Sequence, residues 1–324
     1  MNTYNDNEKS ILVIPSIREN HFKSFLESWK DKGDWEEIVL IEDNSEKTFK
    51  FDSKWKVHHF SHEDIKTDLL DNSWIISRKD SACRSFGFKV ARDLGAKWIV
   101  SLDDDCHPHF SIKNGICQHH LSTIYGFNTC KASAGVRTRG LPYKNLGIVD
   151  DVVCNMGLWA NNGDWDSVQS LSNPNLSNYF TPPSHSFLAH PKHRYPFCGM
   201  NIFFRSDLVP CMYFPLMGKD QPYSRFDDIW AGWIFQKILS HLNFSWSIGE
   251  PWVEHQRASD PFVNLIKEAS GISRNETFWQ RIDGIELFGT NIIDCMKDIG
   301  SDLSFDKEEY LQTIGKAILI WCQL

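Results

Sequence analysis

The sequence predicts an α/β fold: a mostly parallel central sheet flanked by helices, with a helical appendage at the C-terminus. Three observations point there. Strand-like and helix-like apolar patterns alternate over the first 105 residues, the arrangement that folds as a parallel sheet with right-handed crossovers. The apolar run Trp98-Ile99-Val100-Ser101-Leu102 ends abruptly in Asp103-Asp104-Asp105, and ligands in open α/β sheets sit outside strand carboxyl ends. No Gly/Ser-rich or Pro-rich linker lies near the middle of the 324 residues, so one compact unit is expected.

Ile11-Leu12-Val13-Ile14-Pro15 reads as a short buried strand. Phe22, Phe25, Leu26 and Trp29 follow at i, i+3, i+4, i+7, the stripe of an amphipathic helix that Gly33 closes. A second strand, Glu37 to Glu42, finishes in the turn-forming Asp43-Asn44-Ser45. From Ser81 to Gly95 the residues Ala82, Phe86, Val90 and Leu94 recur every four positions, with Asp80 placed to cap the start and Gly95 to close the end. The strand after that helix carries the acidic triplet. Residues 171–196 are rich in Ser, Asn, Pro and His and read as a long loop, whose His185, His190 and His193 are too irregularly spaced to assign to a metal. Helical spacing returns from Ile282 to Phe288 and from Tyr310 to Trp321. The expected division is a catalytic domain over 8–280 with a helical appendage over 281–324, which packs on the core or makes a homo-oligomer contact.

Composition excludes several classes. With 34 basic and 42 acidic residues the net charge is −8, which argues against nucleic acid and anionic membranes as partners. Nine cysteines, odd in number and without C-x-x-C spacing, suggest reduced thiols rather than a disulfide framework or a zinc site. The polar start MNTYNDNEKS has no apolar run of a signal peptide, and no stretch approaches the length of a membrane span. A cytoplasmic protein without integral membrane contact is the expectation. Neither G-x-G-x-x-G nor G-x-x-x-x-G-K-[ST] occurs, so phosphate recognition would rest on a metal and basic side chains.

The triplet carries the sharpest chemical expectation. Adjacent carboxylates supply the hard oxygen donors that Mn²⁺ or Mg²⁺ takes while sharing itself with a substrate phosphate. A solvated acidic loop is the alternative from composition alone.

Further blocks occur in one order: Val13-Ile14-Pro15-Ser16-Ile17-Arg18, Lys79-Asp80-Ser81-Ala82-Cys83-Arg84-Ser85-Phe86-Gly87, Asp103-Asp104-Asp105-Cys106, Cys198-Gly199-Met200-Asn201, Phe226-Asp227-Asp228-Ile229-Trp230-Ala231-Gly232-Trp233 and Pro261-Phe262-Val263-Asn264-Leu265. Together they resemble the reversibly glycosylated polypeptides, the UDP-arabinopyranose mutase family, from about residue 11 to about residue 280. The resemblance implies a GT-A-like nucleotide-sugar fold, UDP-sugar binding, dependence on Mn²⁺ or Mg²⁺, and interconversion of pyranose and furanose rings of a UDP-pentose. It assigns Asp103 and Asp105 to the cation, with Asp104 in a positioning role toward substrate. His255, in Trp252-Val253-Glu254-His255, matches a family histidine and is either a further ligand or structural.

Among the basic residues, Arg18, Lys79 and Arg84 are candidates for phosphate oxygens. For Arg84 a structural ion pair is equally open. Asp43 ends the second strand, where the base or ribose of a nucleotide belongs, and Asn201 and Trp230 complete the substrate-binding candidates. Asp227 and Asp228 offer carboxylates for proton transfer or sugar hydroxyls, or for capping the helix that follows.

Two departures bear on the reaction. The family's glycosylated arginine follows an Arg-Gly-aromatic-Pro segment, whereas Arg139-Gly140-Leu141-Pro142-Tyr143 is followed here by Lys144-Asn145-Leu146-Gly147. Arg137 and Arg139 are the catalytic candidates left nearby. Asn155-Met156 also stands where plant members have a histidine. Three readings follow: a metal-dependent UDP-sugar mutase, a glycosyltransferase using the same donor, and a non-catalytic nucleotide-sugar-binding partner of a mutase.

Overall fold

The computed structural model describes residues 8–128, 151–173, 185–256 and 260–324. Along the chain run β1 (Ser10–Ser16), α1 (Glu19–Ser28), β2 (Glu37–Glu42), β3 (Lys56–Phe60), α2 (His62–Leu69), α3 (Arg84–Asp93), β4 (Trp98–Leu102), β5 (Cys106–Pro108) and α4 (Ile116–Asn128). The second half adds β6 (Val152–Asn161), α5 (Ser167–Ser172), β7 (Phe187–Leu188), β8 (Asn201–Arg205), α6 (Asp227–His241), β9 (Ser245–His255), α7 (Pro261–Asp283), α8 (Ile292–Ser304) and α9 (Glu309–Trp321).

The strands form one sheet in the order β3-β2-β1-β4-β8-β6-β9-β5, with β7 attached to β9. This is the α/β, GT-A-like architecture expected from the sequence. The half built from β1 to β4 is entirely parallel. Beyond it, β8 enters antiparallel between β4 and β6, and β6 pairs parallel with β9.

Local signals read in the sequence explain the first half. Every residue of β1 and β4 is buried, as strands covered by helices on both faces require. The predicted stripe of α1 points inward, with Phe22, Phe25, Leu26 and Trp29 all buried. Asp80 caps a 3₁₀ turn over Ser81–Cys83, accepting from the Ala82 amide, and α3 continues from it until Gly95 takes φ +82°. Helix α3 lies tight on the sheet at Gly87, where a Cβ would stand 2.5 Å from Cγ1 of Val13.

At the C-terminus, α8 and α9 pack against each other and dock on the core. The Tyr310 hydroxyl donates to the Leu216 carbonyl and the Trp321 indole to that of Pro210. Helix α7 crosses the expected domain boundary, running to Asp283 without a break. Among the described residues no helix is long and apolar enough to cross a membrane, and the eight described cysteines are free thiols.

Candidate active site

Parallel pairing sets β1 beside β4, so the loops leaving their carboxyl ends meet. Arg18, just beyond β1, places its guanidinium on Asp104 and reaches Asp105 at 3.4 Å. Asp104 is buried and also accepts from the Ser16 hydroxyl at 2.5 Å, which makes it a brace between the two strand ends. Asp103 turns the other way, to Nη2 of Arg84 at 2.5 Å.

His255 comes to the triplet through sheet register. It pairs with Cys106 in the β5–β9 ladder, and its Nε2 lies 3.9 Å from Oδ1 of Asp105. Its Nδ1 lies 3.1 Å from the Asn162 carbonyl. A carbonyl only accepts, so Nδ1 carries a proton and Nε2 is the ring nitrogen that faces Asp105. Two donors each about 2.1 Å from a shared ion stand at most about 4.2 Å apart, so Asp105 and His255 fit one divalent cation. The charge balance agrees. Burial pushes the Asp105 carboxyl upward, the charge of Asp103 adds to it, and His255 and Arg18 oppose. That carboxyl seeks a positive partner.

Arg84 is the second brace. Only 2% exposed, it donates from Nε to the Ser81 carbonyl, from Nη1 to Ser101 and the Gly199 carbonyl, and from Nη2 to Asp103. A buried guanidinium so engaged aligns β4, the approach to β8 and Asp103. Of the two roles open to it from the sequence, the contacts are those of the ion pair.

At the end of β2, Asp43 is buried and takes both the Lys79 amide, at 3.0 Å, and Nε2 of His62, at 2.6 Å. Lys79 itself adopts φ +58° and returns its ammonium to the Asp43 carbonyl at 3.0 Å. A cavity of about 200 Å³ adjoins them, lined by His62, Lys66, Ile76, Ser77 and Arg78 among others.

A second carboxylate group assembles from distant segments. Asp227 and Asp228 open α6; the N-cap position falls on Phe226, and Asp228 takes the first-turn Ile229 amide at 2.8 Å. Asp227 accepts from the Ser81 hydroxyl at 2.9 Å and Asp228 from the Gly199 amide at 2.9 Å. Asp80 lies alongside, its Oδ2 taking the Ser224 hydroxyl and the Arg225 amide. Burial drives all three carboxyls upward. Asp80 is pushed up to about 8, with the charge of Asp227 as second cause. For Asp228, raised well above the usual range, the charges of Asp227 and Asp164 add to burial. For Asp227 the Arg84 cation and the Ser81 hydroxyl counter part of the effect. These groups hold protons where ordinary carboxylates have lost them.

Asp164 and Cys198 complete this region. With Asp228 they form a trio whose ligand atoms all lie within 4.8 Å of one another, the one such cluster among the described residues that could hold a metal ion. The Cys198 thiol is pushed well up by burial and then by Asp164 and Asp228, so it stays protonated and is a poor partner for a hard cation. Sequence reasoning passed over Asp80, Asp164 and Cys198. Asp164 had a readable signal, because it follows β6 as Asp103 follows β4.

The remaining candidates lie elsewhere in their contacts. Asn201 is buried, giving its amide to the Leu158 and Pro251 carbonyls and its oxygen to His120. Trp230 is 0% exposed, stacked on Phe278 at 4.3 Å and bonded to Asn275, so it presents no free ring face. Arg137 and Arg139 lie outside the described residues.

Comparison with known proteins identifies the family. The pattern of the family described as reversibly glycosylated polypeptide matches residues 4–324. A probable UDP-arabinopyranose mutase 1 of Pisum sativum is 36% identical over 284 residues, covering 83% of this chain and 74% of the pea protein. UDP-arabinopyranose mutase 1 of Arabidopsis thaliana is also 36% identical, over 83% of this chain and 76% of its own. The probable UDP-arabinopyranose mutase 4 of the same plant is 32% identical over 96% of this chain and 89% of its own. The chain belongs to the reversibly glycosylated polypeptide family.

Proposed function

We propose that the protein is a metal-dependent UDP-sugar mutase that interconverts pyranose and furanose forms of a UDP-arabinose-like substrate in the cytoplasm. The observation that carries the reading is the meeting of two unlike carboxylate groups through one buried arginine. Arg84 bonds Asp103 of the cation end, and it is also the cation whose charge acts on Asp227 and Asp228.

Asp105 and His255, with Asp103 beside them, would hold Mn²⁺ or Mg²⁺. The bound ion would neutralise charge that builds on the diphosphate as the anomeric bond breaks. Nη1 of Arg18 has no hydrogen-bond partner among the described residues and is free for a phosphate oxygen, and the cavity lined by His62 and Arg78, next in the chain to Lys79, would take the nucleoside. Asp104 orients Arg18. Exchanging a pyranose for a furanose ring moves one proton: the hydroxyl oxygen that enters the ring loses it and the oxygen that leaves gains it. A carboxyl raised well above the usual carboxylate range by burial and by the charges of Asp227 and Asp164, as that of Asp228 is, would give a proton to the departing ring oxygen and recover one from the entering hydroxyl. Asp227 holds Ser81 and spreads the charge.

Incubation with UDP-arabinopyranose and Mn²⁺ tests the reading, with UDP-arabinofuranose as the expected product. No conversion across a panel of nucleotide sugars would defeat it. Release of UDP that depends on an added acceptor would favour the transferase reading, which the Lys144-Asn145-Leu146-Gly147 departure motivates.

A further inference from the structure

We infer that Arg225 is a substrate-binding residue that donates its terminal amino groups to sugar hydroxyls beside Asp164, and that buried Glu268 is the positioning residue that holds it there. The inference rests on the nucleotide-sugar reading above and says which chain groups grip the sugar.

Arg225 is fixed at both ends. Its backbone stands at φ +66°, a region that residues with a side chain rarely adopt and that persists where surrounding contacts impose it. Its amide and the neighbouring Ser224 hydroxyl are both held by Asp80. Its Nε donates to Oε1 of Glu268 at 2.8 Å, and Glu268 is 4% exposed on α7. The other oxygen of Glu268 accepts from the Ser167 amide at 2.8 Å. One buried carboxylate therefore ties the segment that carries Asp164, three residues before Ser167, to the segment that carries Asp228, three residues after Arg225. Helix α7 is seated for this by Gly271, where any Cβ would run into the Phe226 ring.

The free end of the side chain is what points to a ligand. With Nε engaged, neither terminal nitrogen of Arg225 has a hydrogen-bond partner among the described residues, and the side chain is 35% exposed. Arg84, by contrast, spends its terminal donors on the protein. Arg225 also stands apart from the cation end. The acidic groups acting on it are Glu268, Asp164 and Asp227, with none from the triplet foremost. If the diphosphate lies at Asp103 and Asp105, the far end of the substrate is the sugar, and it reaches toward Asp164 and Asp228. Carboxylates accept from sugar hydroxyls and a guanidinium donates to them, so the two acids and Arg225 form a complementary set for adjacent hydroxyls.

Calorimetry with UDP and with UDP-arabinopyranose, each in the presence of Mn²⁺, tests this on the full chain. Arg225→Ala should weaken binding of the UDP-sugar by roughly 10-fold or more while UDP binds as before, since bonds from a charged donor are lost at the sugar alone. Glu268→Gln should show a smaller loss in the same sense, and the double variant should be no worse than Arg225→Ala, because both act through one guanidinium. Should Arg225→Ala not fold, Arg225→Lys carries the same expectation: it keeps a charge opposite Glu268 but has no planar fork. Parallel weakening of both ligands, or unchanged binding of the UDP-sugar, would overturn the inference. Wild-type protein that binds neither ligand would overturn the nucleotide-sugar reading itself, and this inference with it.

Discussion

Asp103-Asp104-Asp105 and Asp227-Asp228 are both runs of adjacent carboxylates, but their surroundings give them opposite tasks. Around the triplet, Arg84 takes Asp103 and Arg18 takes Asp104 and reaches Asp105, whose other oxygen faces Nε2 of His255. Around the second pair, Asp80, Asp164 and the Cys198 thiol add acid groups to acid groups in a buried setting. Arg84 and Arg225 oppose them. On the proposed function the first arrangement would hold a metal and the second would retain protons, so residue type alone does not decide which chemistry a carboxylate performs.

Substitutions that spare the charge pattern of one end should separate the two. Asp105→Asn is expected to lower Mn²⁺-dependent turnover on the order of 10³-fold, since a bound Lewis acid supplies several kcal/mol. Melting temperature should not fall, because a carboxyl already disfavoured by burial is neutralised. Asp228→Asn is expected to lower turnover about 10²-fold, at the low end for a proton-transfer group. Steady-state kinetics beside thermal melts measure both, and full turnover in either variant would remove that residue from the mechanism.

The next effect is on stability. Asp103→Asn leaves the buried Arg84 without its ion-pair partner and should cost roughly 2–3 kcal/mol in urea unfolding, less than a fully buried pair because Asp103 is partly open to water. An unchanged midpoint would show that Arg84 is sustained by its neutral partners alone.

Stability should also depend on pH through Asp80. Its carboxyl is raised from 3.8 to about 8, so between those values the native state holds a proton that the unfolded chain has released. Stability then falls as pH rises through this window and levels off above about 8. Asp80→Asn removes that slope, so its melting temperature should drop less than that of the wild type between about pH 6 and about pH 8.5. Equal slopes would contradict the assignment of the buried proton to Asp80. The smallest effect belongs to Trp230→Phe: loss of the bond to Asn275 should cost about 1 kcal/mol and leave turnover unchanged. A marked rise in KM would instead make Trp230 a sugar platform.

The sequence made the cation end readable because its acids are contiguous and follow an apolar strand, and the β-α-β opening because its periodicities are local. His255 was legible only through the family blocks, since its approach to Asp105 depends on the β5–β9 register. Asp164 and Cys198 meet Asp228, and Asp80 meets Asp227, from separate segments; the place of Asp164 beyond β6 is readable, but its meeting with Asp228 is recorded by no spacing along the chain. Arg84 and Trp230 look alike in sequence whether they bind ligand or fill the interior. Trp230 lies in a helix buried almost all round, with Ala231, Trp233, Ile234, Phe235 and Ile238 also inside.

Mn²⁺ binding to Asp105→Asn and to Asp228→Asn, measured side by side by calorimetry in the presence of UDP, tests the division of labour most directly. The account predicts that Asp228→Asn binds Mn²⁺ as the wild type does while turning over poorly, and that Asp105→Asn loses the metal. Loss of Mn²⁺ from Asp228→Asn with retention in Asp105→Asn would contradict it, and would move the cation to Asp164, Cys198 and Asp228.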